Sequence, residues 1–326
     1  MSTYFVTGAT GFIGGRVARQ LVGEQHAVIA VARDPSRASE LTALGVRVVG
    51  GDVTDKDSLR QPMRGVDGVF HLAGWYRVGA RDKRPARRIN VDGTRNVLEM
   101  VRELEIPRCV YTSTLAINSD THGVLVDESY RYYGPWLSEY DHSKWIAHYE
   151  IAEPMMRAGL PLTIVQPGAV YGPGDNSPQG QFFRQYLRRR LPMVPSGTAF
   201  CWGHVDDTAR GHVLAMQRGQ VGQAYIIAGP PATLRDVLRL AEGITGVPPP
   251  PLHPAPGLVK ALASVVQVVE HVVPLPENYS AEYLRVAAGT TYLGSNAKAR
   301  RELGYAPRSL EEGLRETLQY EQAHLH

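Results

Sequence analysis

Along the first half of the chain, short runs of β-branched and other apolar residues alternate with longer stretches in which apolar positions recur every three or four residues. The short runs predict buried strands at 4–7, 27–32, 46–49, 68–72, 108–113 and 162–166. The longer stretches predict amphipathic helices between them, for example at 12–22 and 91–104. Such alternation implies an α/β chain with a doubly wound parallel sheet, since each parallel neighbour needs a crossover and the crossovers cover both faces. After about Pro167, prolines and glycines become dense and strands short, while helical spacing returns at 208–217, 234–243 and 310–322. The pattern divides the chain into 1–167 and 168–326, the second region smaller and mostly helical, with some of its segments returning to the first.

Two stretches stand apart. Pro248-Pro249-Pro250-Pro251 reads as a stiff connector, because patterned segments flank it. Residues 258–275 are rich in Val, Leu and Ala, but Lys260, Gln267, Glu270 and His271 argue against a membrane-spanning helix. A buried or pocket-covering amphipathic helix is expected there, with a membrane-surface contact as the alternative.

Composition narrows the class. The 326 residues are 43% hydrophobic and 21% charged, enough for a globular core without disulfides. Cys109 and Cys201 are too few for a disulfide framework and lack metal-ligand spacing, so reduced thiols in a cytoplasmic protein are expected. No basic segment followed by an apolar stretch opens the chain, so no signal peptide is expected. A net charge of +3 does not point to nucleic acid. The densest basic run, Arg188-Arg189-Arg190, is either a solvated helix end or an anion contact. His71, His204 and His212 read as structural, and no His/Asp/Glu set has metal spacing, so no catalytic metal is expected.

The first strand runs into Gly8-Ala9-Thr10-Gly11-Phe12-Ile13-Gly14, at the mouth of the first helix. Glycines allow the tight turn and let a pyrophosphate approach where no Cβ stands, and the helix start offers free N–H groups and partial positive charge. In this strand–turn–helix frame the spacing marks a Rossmann-type dinucleotide site, with 1–167 as the dinucleotide-binding domain and 168–326 as mainly substrate-binding. The second strand ends in Val31-Ala32-Arg33-Asp34-Pro35-Ser36-Arg37. Two guanidinium groups there, with no acid at the strand end, favour NADP(H) over NAD(H). Asp34 orients Arg33, caps the next helix or accepts from the ribose. Asp52 and Val53 follow the third strand, where a carboxylate can accept from the adenine amine, with a turn or helix-cap role as the alternative. Leu72, Ala73 and Gly74 close the fourth strand with a backbone that can lie along a cofactor.

Tyr140-Asp141-His142-Ser143-Lys144 puts a phenol and an ammonium four residues apart, on one helix face. A lysine there lowers the phenol pKa, and the phenol then exchanges a proton with a carbonyl or alcohol oxygen. Thr112-Ser113-Thr114 supplies hydroxyls at the carboxyl edge of the sheet, where ligands bind in such folds.

With these motifs the chain resembles the extended short-chain dehydrogenases/reductases, the epimerase/dehydratase superfamily, over nearly its whole length. Further matches are Asn90-Val91-Asp92-Gly93-Thr94, Pro167-Gly168-Ala169-Val170-Tyr171-Gly172-Pro173, His204-Val205-Asp206-Asp207 and Ala299-Arg300-Arg301-Glu302-Leu303-Gly304-Tyr305. The resemblance implies that Tyr140 is the acid/base and that Lys144 tunes it and holds the nicotinamide ribose. The catalytic hydroxyl falls on Thr114, where Ser is more usual. Pro167, Gly168 and Val170 would line the nicotinamide side, and Asn90 would be structural or a proton relay. A homodimer through the helices at 91–104 and 140–150 is implied as well.

The branch stays open. Ala32-Arg33-Asp34-Pro35 is similar to dihydroflavonol-reductase-like members, whereas Trp75-Tyr76-Arg77 is similar to hopanoid-associated epimerase-like members. Nucleotide-sugar epimerases commonly carry an arginine a few residues before His204-Val205-Asp206-Asp207. Here the stretch Thr198-Ala199-Phe200-Cys201-Trp202-Gly203 has no cation, which suits an apolar carbonyl substrate, although Arg77, Arg81 and Arg188–Arg190 offer an anion clamp elsewhere. The leading expectation is NADPH-dependent reduction of a ketone or aldehyde. The alternatives are a nucleotide-sugar epimerase or dehydratase with tightly bound NAD(P), and a non-catalytic cofactor-sensing module.

Overall fold

The computed structural model describes residues 1–270, 275 and 280–325. Among the described residues the strands are β1 (Thr3–Thr7), β2 (Ala27–Ala32), β3 (Arg47–Gly50), β4 (Gly68–His71), β5 (Cys109–Thr112), β6 (Leu162–Pro167), β7 (Ala169–Tyr171), β8 (Ala199–His204), β9 (Ala224–Ile227), β10 (Pro231–Thr233) and β11 (Thr291–Tyr292). The α-helices are α1 (Phe12–Gly23), α2 (Ser39–Ala43), α3 (Lys56–Met63), α4 (Gly93–Glu103), α5 (Glu139–Ile146), α6 (Glu153–Arg157), α7 (Pro178–Leu187), α8 (Val205–Arg218), α9 (Leu234–Thr245), α10 (Pro256–Val269), α11 (Ala281–Ala287), α12 (Ala297–Leu303) and α13 (Leu310–Ala323).

Seven strands form one sheet in the order β3-β2-β1-β4-β5-β6-β9, every pair parallel. This is the doubly wound α/β arrangement that the alternation predicts. Side chains along a strand alternate between faces, so Phe5, Val31, Val69, Tyr111 and Ile164 pack with Leu59, Leu98 and Val101 on one side. Val6, Ala30, Phe70, Val110 and Val165 pack with Val17, Leu21 and Val213 on the other. Strand order reverses between β1 and β4, which opens a crevice at their carboxyl ends.

The seventh strand comes from the second half of the chain, and α8 from that half packs on α1. The remainder is helical around a small second sheet in which β8 pairs with β7, β10 and β11. Its core gathers Tyr171, Phe183, Tyr186, Trp202, Val237 and Leu314.

Three segments differ from the sequence expectation. The helix expected at 91–104 begins earlier, as a wide-turned stretch over Ala86–Asp92 that runs into α4. The apolar stretch 198–203 is chiefly the core strand β8, with Ala199, Cys201 and Trp202 buried and only Phe200 half-buried. The helix within 258–275 is α10, which is largely exposed rather than buried, while Gln267 and Glu270 at its end wall a cavity. Only Val259 and Ala263 are buried, and its apolar outer face meets solvent. Residues 271–274 of that stretch lie outside the described residues.

Candidate active site

The glycine turn is built to admit a bulky anion. Gly8 has φ +72°, and a Cβ there would lie 2.7 Å from the Ala73 amide nitrogen. A Cβ on Gly14 would lie 2.1 Å from the Gly8 carbonyl oxygen, so α1 can start this close to β1 only with glycine at that position. Gly11 donates its N–H to the Gly8 carbonyl at 2.9 Å and ends the turn as the residue before α1. No side chain caps α1, which leaves the first-turn amides of Phe12, Ile13 and Gly14 for a ligand beside exposed Thr10. These features fit the pyrophosphate of a dinucleotide.

The turn is locked to the end of β4. The Thr7 hydroxyl accepts from the amides of Leu72 at 3.1 Å and Ala73 at 3.0 Å. Its own proton then goes to His71 Nδ1 at 2.8 Å, so the imidazole is neutral, with Nε2–H donating to the Thr94 hydroxyl at 3.0 Å. Burial agrees, lowering the His71 pKa to about 3, with the Lys144 charge a smaller cause. His71 is therefore structural.

Arg33 and Arg37 project from the end of β2 and the short turn Pro35–Arg37, exposed and without a salt bridge among the described residues. Of the roles open to Asp34, the structure displays the cap, with its carboxylate accepting from the Ser36 amide at 3.1 Å and hydroxyl at 2.6 Å. One Asp52 oxygen is spent on the Thr54 amide and hydroxyl, at 2.9 and 3.0 Å. Val53 is buried against Gly93, the first residue of α4. Gly74 stands beside Asn90, whose side chain clamps the backbone of Trp75 (N to Oδ1 2.7 Å, Nδ2 to O 3.0 Å) and donates to the Ser143 hydroxyl at 2.9 Å. Asn90 thus fastens the loop after β4 to the helix that carries Tyr140.

That helix, α5, begins where the Ser138 hydroxyl accepts from the Asp141 amide at 3.1 Å. Tyr140 and Lys144 follow on one face. Burial pushes the Tyr140 phenol pKa up, with Tyr76 adding to it, while the nearby Thr114 side chain acts the other way and favours the ionised form. Thr114 is buried and also caps the short helix Leu115–Asn118, accepting from the Ala116 amide at 3.2 Å. Lys144 Nζ donates to the Thr112 carbonyl at 2.7 Å and to the Tyr111 hydroxyl at 3.2 Å, and lies 4.8 Å from the Tyr111 ring centroid. Burial lowers its pKa to about 7. Lys144 is thus tied to the sheet edge.

The Thr112 hydroxyl donates to His212 Nε2 at 3.0 Å, because His212 Nδ1 must itself donate to the Thr208 carbonyl at 2.8 Å. Ser113 pairs with buried His148 at 2.8 Å. Pro167 ends β6. A Cβ on Gly168 would lie 2.1 Å from the Cys201 carbonyl, and Val170, in β7, is half-buried. Arg188–Arg190 sit exposed at the end of α7.

Two neighbours of Tyr140, and a third residue bonded to one of them, escape a reading of the sequence. The Tyr76 ring packs edge-on against Tyr140, with centroids 4.7 Å apart, and its hydroxyl accepts from Gln179 at 3.1 Å. Asp141 is buried, accepts from the Tyr292 hydroxyl at 2.9 Å, and has its pKa raised to about 7 by burial. Tyr292 stacks on Phe200, with centroids 5.8 Å apart. The only forewarning in the sequence was Tyr76 beside the small residues after β4.

Among the described residues one set, His204, Asp206 and Glu316, has possible metal-ligand atoms within 4.8 Å of one another. Arg16 already pairs with Asp206 at 3.2 Å and Arg308 with Glu316 at 2.7 Å, so cations of the chain neutralise both carboxylates.

Residues 4–228 match the model of the NAD dependent epimerase/dehydratase family. Over 333 aligned residues the chain is 34% identical to a protein of Synechocystis sp. provisionally named dihydroflavonol 4-reductase, covering 98% of this chain and 95% of that one. It is 30% identical over 313 residues to the 4-hydroxy-2-methyl-3-oxo-4-farnesyl-3,4-dihydroquinoline-1-oxide ketoreductase of Stigmatella aurantiaca, covering 93% and 92%. Among solved structures, that of gox2253 aligns with a TM-score of 0.86 at 30% identity over 99% of both chains.

Proposed function

The chain belongs to the NAD dependent epimerase/dehydratase family, and on that premise we propose that it is an NADP(H)-dependent reductase that interconverts a ketone or aldehyde and its alcohol. One observation carries the reading. The Tyr140 phenol and the Thr114 hydroxyl lie close together, Thr114 just past the carboxyl end of β5, an arrangement that supports a proton donor and a second hydrogen-bond donor serving one carbonyl oxygen.

When bound, the nicotinamide supplies the hydride. Tyr140 gives its proton to the oxygen as negative charge develops there. Thr114 donates a hydrogen bond to the same oxygen. The Thr112 carbonyl and Tyr111 hydroxyl hold the Lys144 ammonium one helical turn from the phenol, where its charge favours the phenolate left behind. Tyr76 covers the phenol and limits water.

The exposed Arg33 and Arg37 support NADP(H), since a planar guanidinium binds a 2′-phosphate through paired hydrogen bonds. The aromatic series Tyr76, Phe200 and Tyr292 supports an uncharged substrate, as do the names of the two relatives, both reductases. Nucleotide-sugar epimerisation with tightly bound NAD(P) draws support from the cavity of about 470 Å³ lined by Arg81, Lys83 and Arg285. Buried Cys109 and Cys201, free of a disulfide, suit a reducing cytoplasm, and the family resemblance supports a homodimer through the helices at 91–104 and 140–150.

Incubating the protein with NADPH or NADH and a panel of ketones, aldehydes and nucleotide sugars separates the readings. NADPH consumed mole for mole with alcohol formed is the expected result. Sugar conversion without net change in the cofactor overturns it.

A further inference from the structure

The outer face of α10 is apolar. Val259 and Ala263 turn inward at 2% and 1% exposure, whereas Leu258, Leu262, Val265, Val268 and Val269 are 67%, 43%, 61%, 70% and 39% exposed. At about 100° per residue these five occupy roughly a third of the helix circumference, and Lys260, Ser264 and Gln267 form only a narrow polar strip behind them. No carboxylate interrupts Pro256–Val269, and the next acid, Glu270, turns inward to accept from the Ala281 amide at 3.0 Å. Single exposed apolar residues are ordinary on a soluble surface, but five on one helix face are not.

A basic segment adjoins this helix. Residues 77–88 carry Arg77, Arg81, Lys83, Arg84, Arg87 and Arg88 against a single acid, Asp82. Gly79, Ala80, Arg81 and Lys83 line the cavity of about 470 Å³ whose other wall is Gln267 and Glu270 at the end of α10. Lys83 pairs with Glu282 at 2.7 Å and Arg84 with Asp82 at 2.9 Å, while Arg81, Arg87 and Arg88 are exposed and make no salt bridge among the described residues.

We propose that this surface docks on an anionic lipid bilayer, with the apolar stripe of α10 among the acyl chains and the basic segment against the headgroups. Charge complementarity selects this occupant. A second copy placed face to face would bring two basic segments together, whereas acidic headgroups beside an apolar layer answer both halves of the surface. Among the described residues no helix is long and apolar enough to cross a membrane, so the contact is with one leaflet. The segment begins next to Tyr76, which packs on Tyr140, so its first residue lies beside the active site. Docking does not depend on which reaction the site performs.

The test is sedimentation of the full chain with phosphatidylcholine vesicles, with and without phosphatidylglycerol, at low and high salt. Wild type is expected to partition onto the phosphatidylglycerol vesicles and to be released by salt. Leu262→Glu with Val265→Glu should weaken partitioning by more than about tenfold, with melting temperature and oligomeric state unchanged, because both sites are exposed. Arg81→Glu with Arg87→Glu should weaken it on anionic vesicles and remove its salt dependence. Failure of wild type to bind, or equal partitioning by wild type and the Leu262/Val265 variant, overturns the proposal. So does a change of oligomeric state in that variant without vesicles, which assigns the face to a second copy.

Discussion

The Lys144 ammonium donates to the Thr112 carbonyl oxygen at 2.7 Å, so the cation of the Tyr140–Lys144 pair is anchored by the sheet edge. Burial holds its pKa near 7, against 10.5 for an ordinary lysine. Between those values the unfolded chain binds a proton that the folded chain does not, so Lys144 makes folding more favourable as pH rises from 7 to 10. The penalty for burying the charged form is full once pH falls below about 7. Lys144→Met should therefore melt higher than wild type at pH 6.5, by a margin that shrinks towards pH 10. A margin independent of pH would show that the group is not buried as a cation.

Thr114 carries two jobs, and two substitutions separate them. Serine keeps both the hydroxyl near Tyr140 and the cap on the Ala116 amide. Thr114→Ser should hold turnover within about threefold of wild type. Thr114→Val removes the hydrogen bond and should lower kcat about a hundredfold. Loss of the cap should cost about 1 kcal/mol, read as a lower denaturant midpoint.

Asp141 gives a pH signature of the opposite sign. Its pKa is raised from 3.8 to about 7, chiefly by burial, while the Ser138 and Tyr292 hydrogen bonds act against that and the nearby Glu282 carboxylate adds to it. Its contribution to stability is fully present below about pH 3.8 and is lost as pH rises through about 7. Asp141→Asn keeps an acceptor for the Tyr292 hydroxyl without the buried charge. Urea midpoints at pH 5 and pH 8 should show the variant gaining on wild type at the higher pH, and an equal offset at both would contradict this.

On the proposed reading, Arg33 and Arg37 select the phosphorylated cofactor. Replacing both with alanine should weaken NADPH binding by more than about tenfold, since a phosphate loses two charge-assisted partners, and leave NADH affinity within about threefold. Fluorescence titration of each cofactor checks it. Equal losses for both would move the phosphate contact elsewhere.

The legible parts of this fold are those with strong local patterns. The six strands expected in the first half lie within a residue or two of their places because each is a short apolar run between polar turns. Strand β9 and the small second sheet escaped, because strands of two to six residues in a proline- and glycine-rich region leave no clear period. The outward face of α10 was not readable for another reason. Apolar residues flank the narrow polar strip of Lys260, Ser264 and Gln267 on both sides, so the pattern does not say which apolar side meets the protein. At the site, the glycine turn and the Tyr140–Lys144 pair follow from spacing within one element. The burial of Asp141 depends on Tyr292, which lies 151 residues away, and no local signal announces it.

The most direct measurement is the kinetics of Tyr140→Phe with cofactor binding measured on the same sample. Phenylalanine keeps the ring that packs on Tyr76 and removes only the proton donor. Turnover of whichever carbonyl substrate the wild type reduces should fall by at least about a thousandfold, while NADPH affinity stays within about threefold. Activity near wild type in Tyr140→Phe would contradict the assignment of Tyr140 as the proton donor.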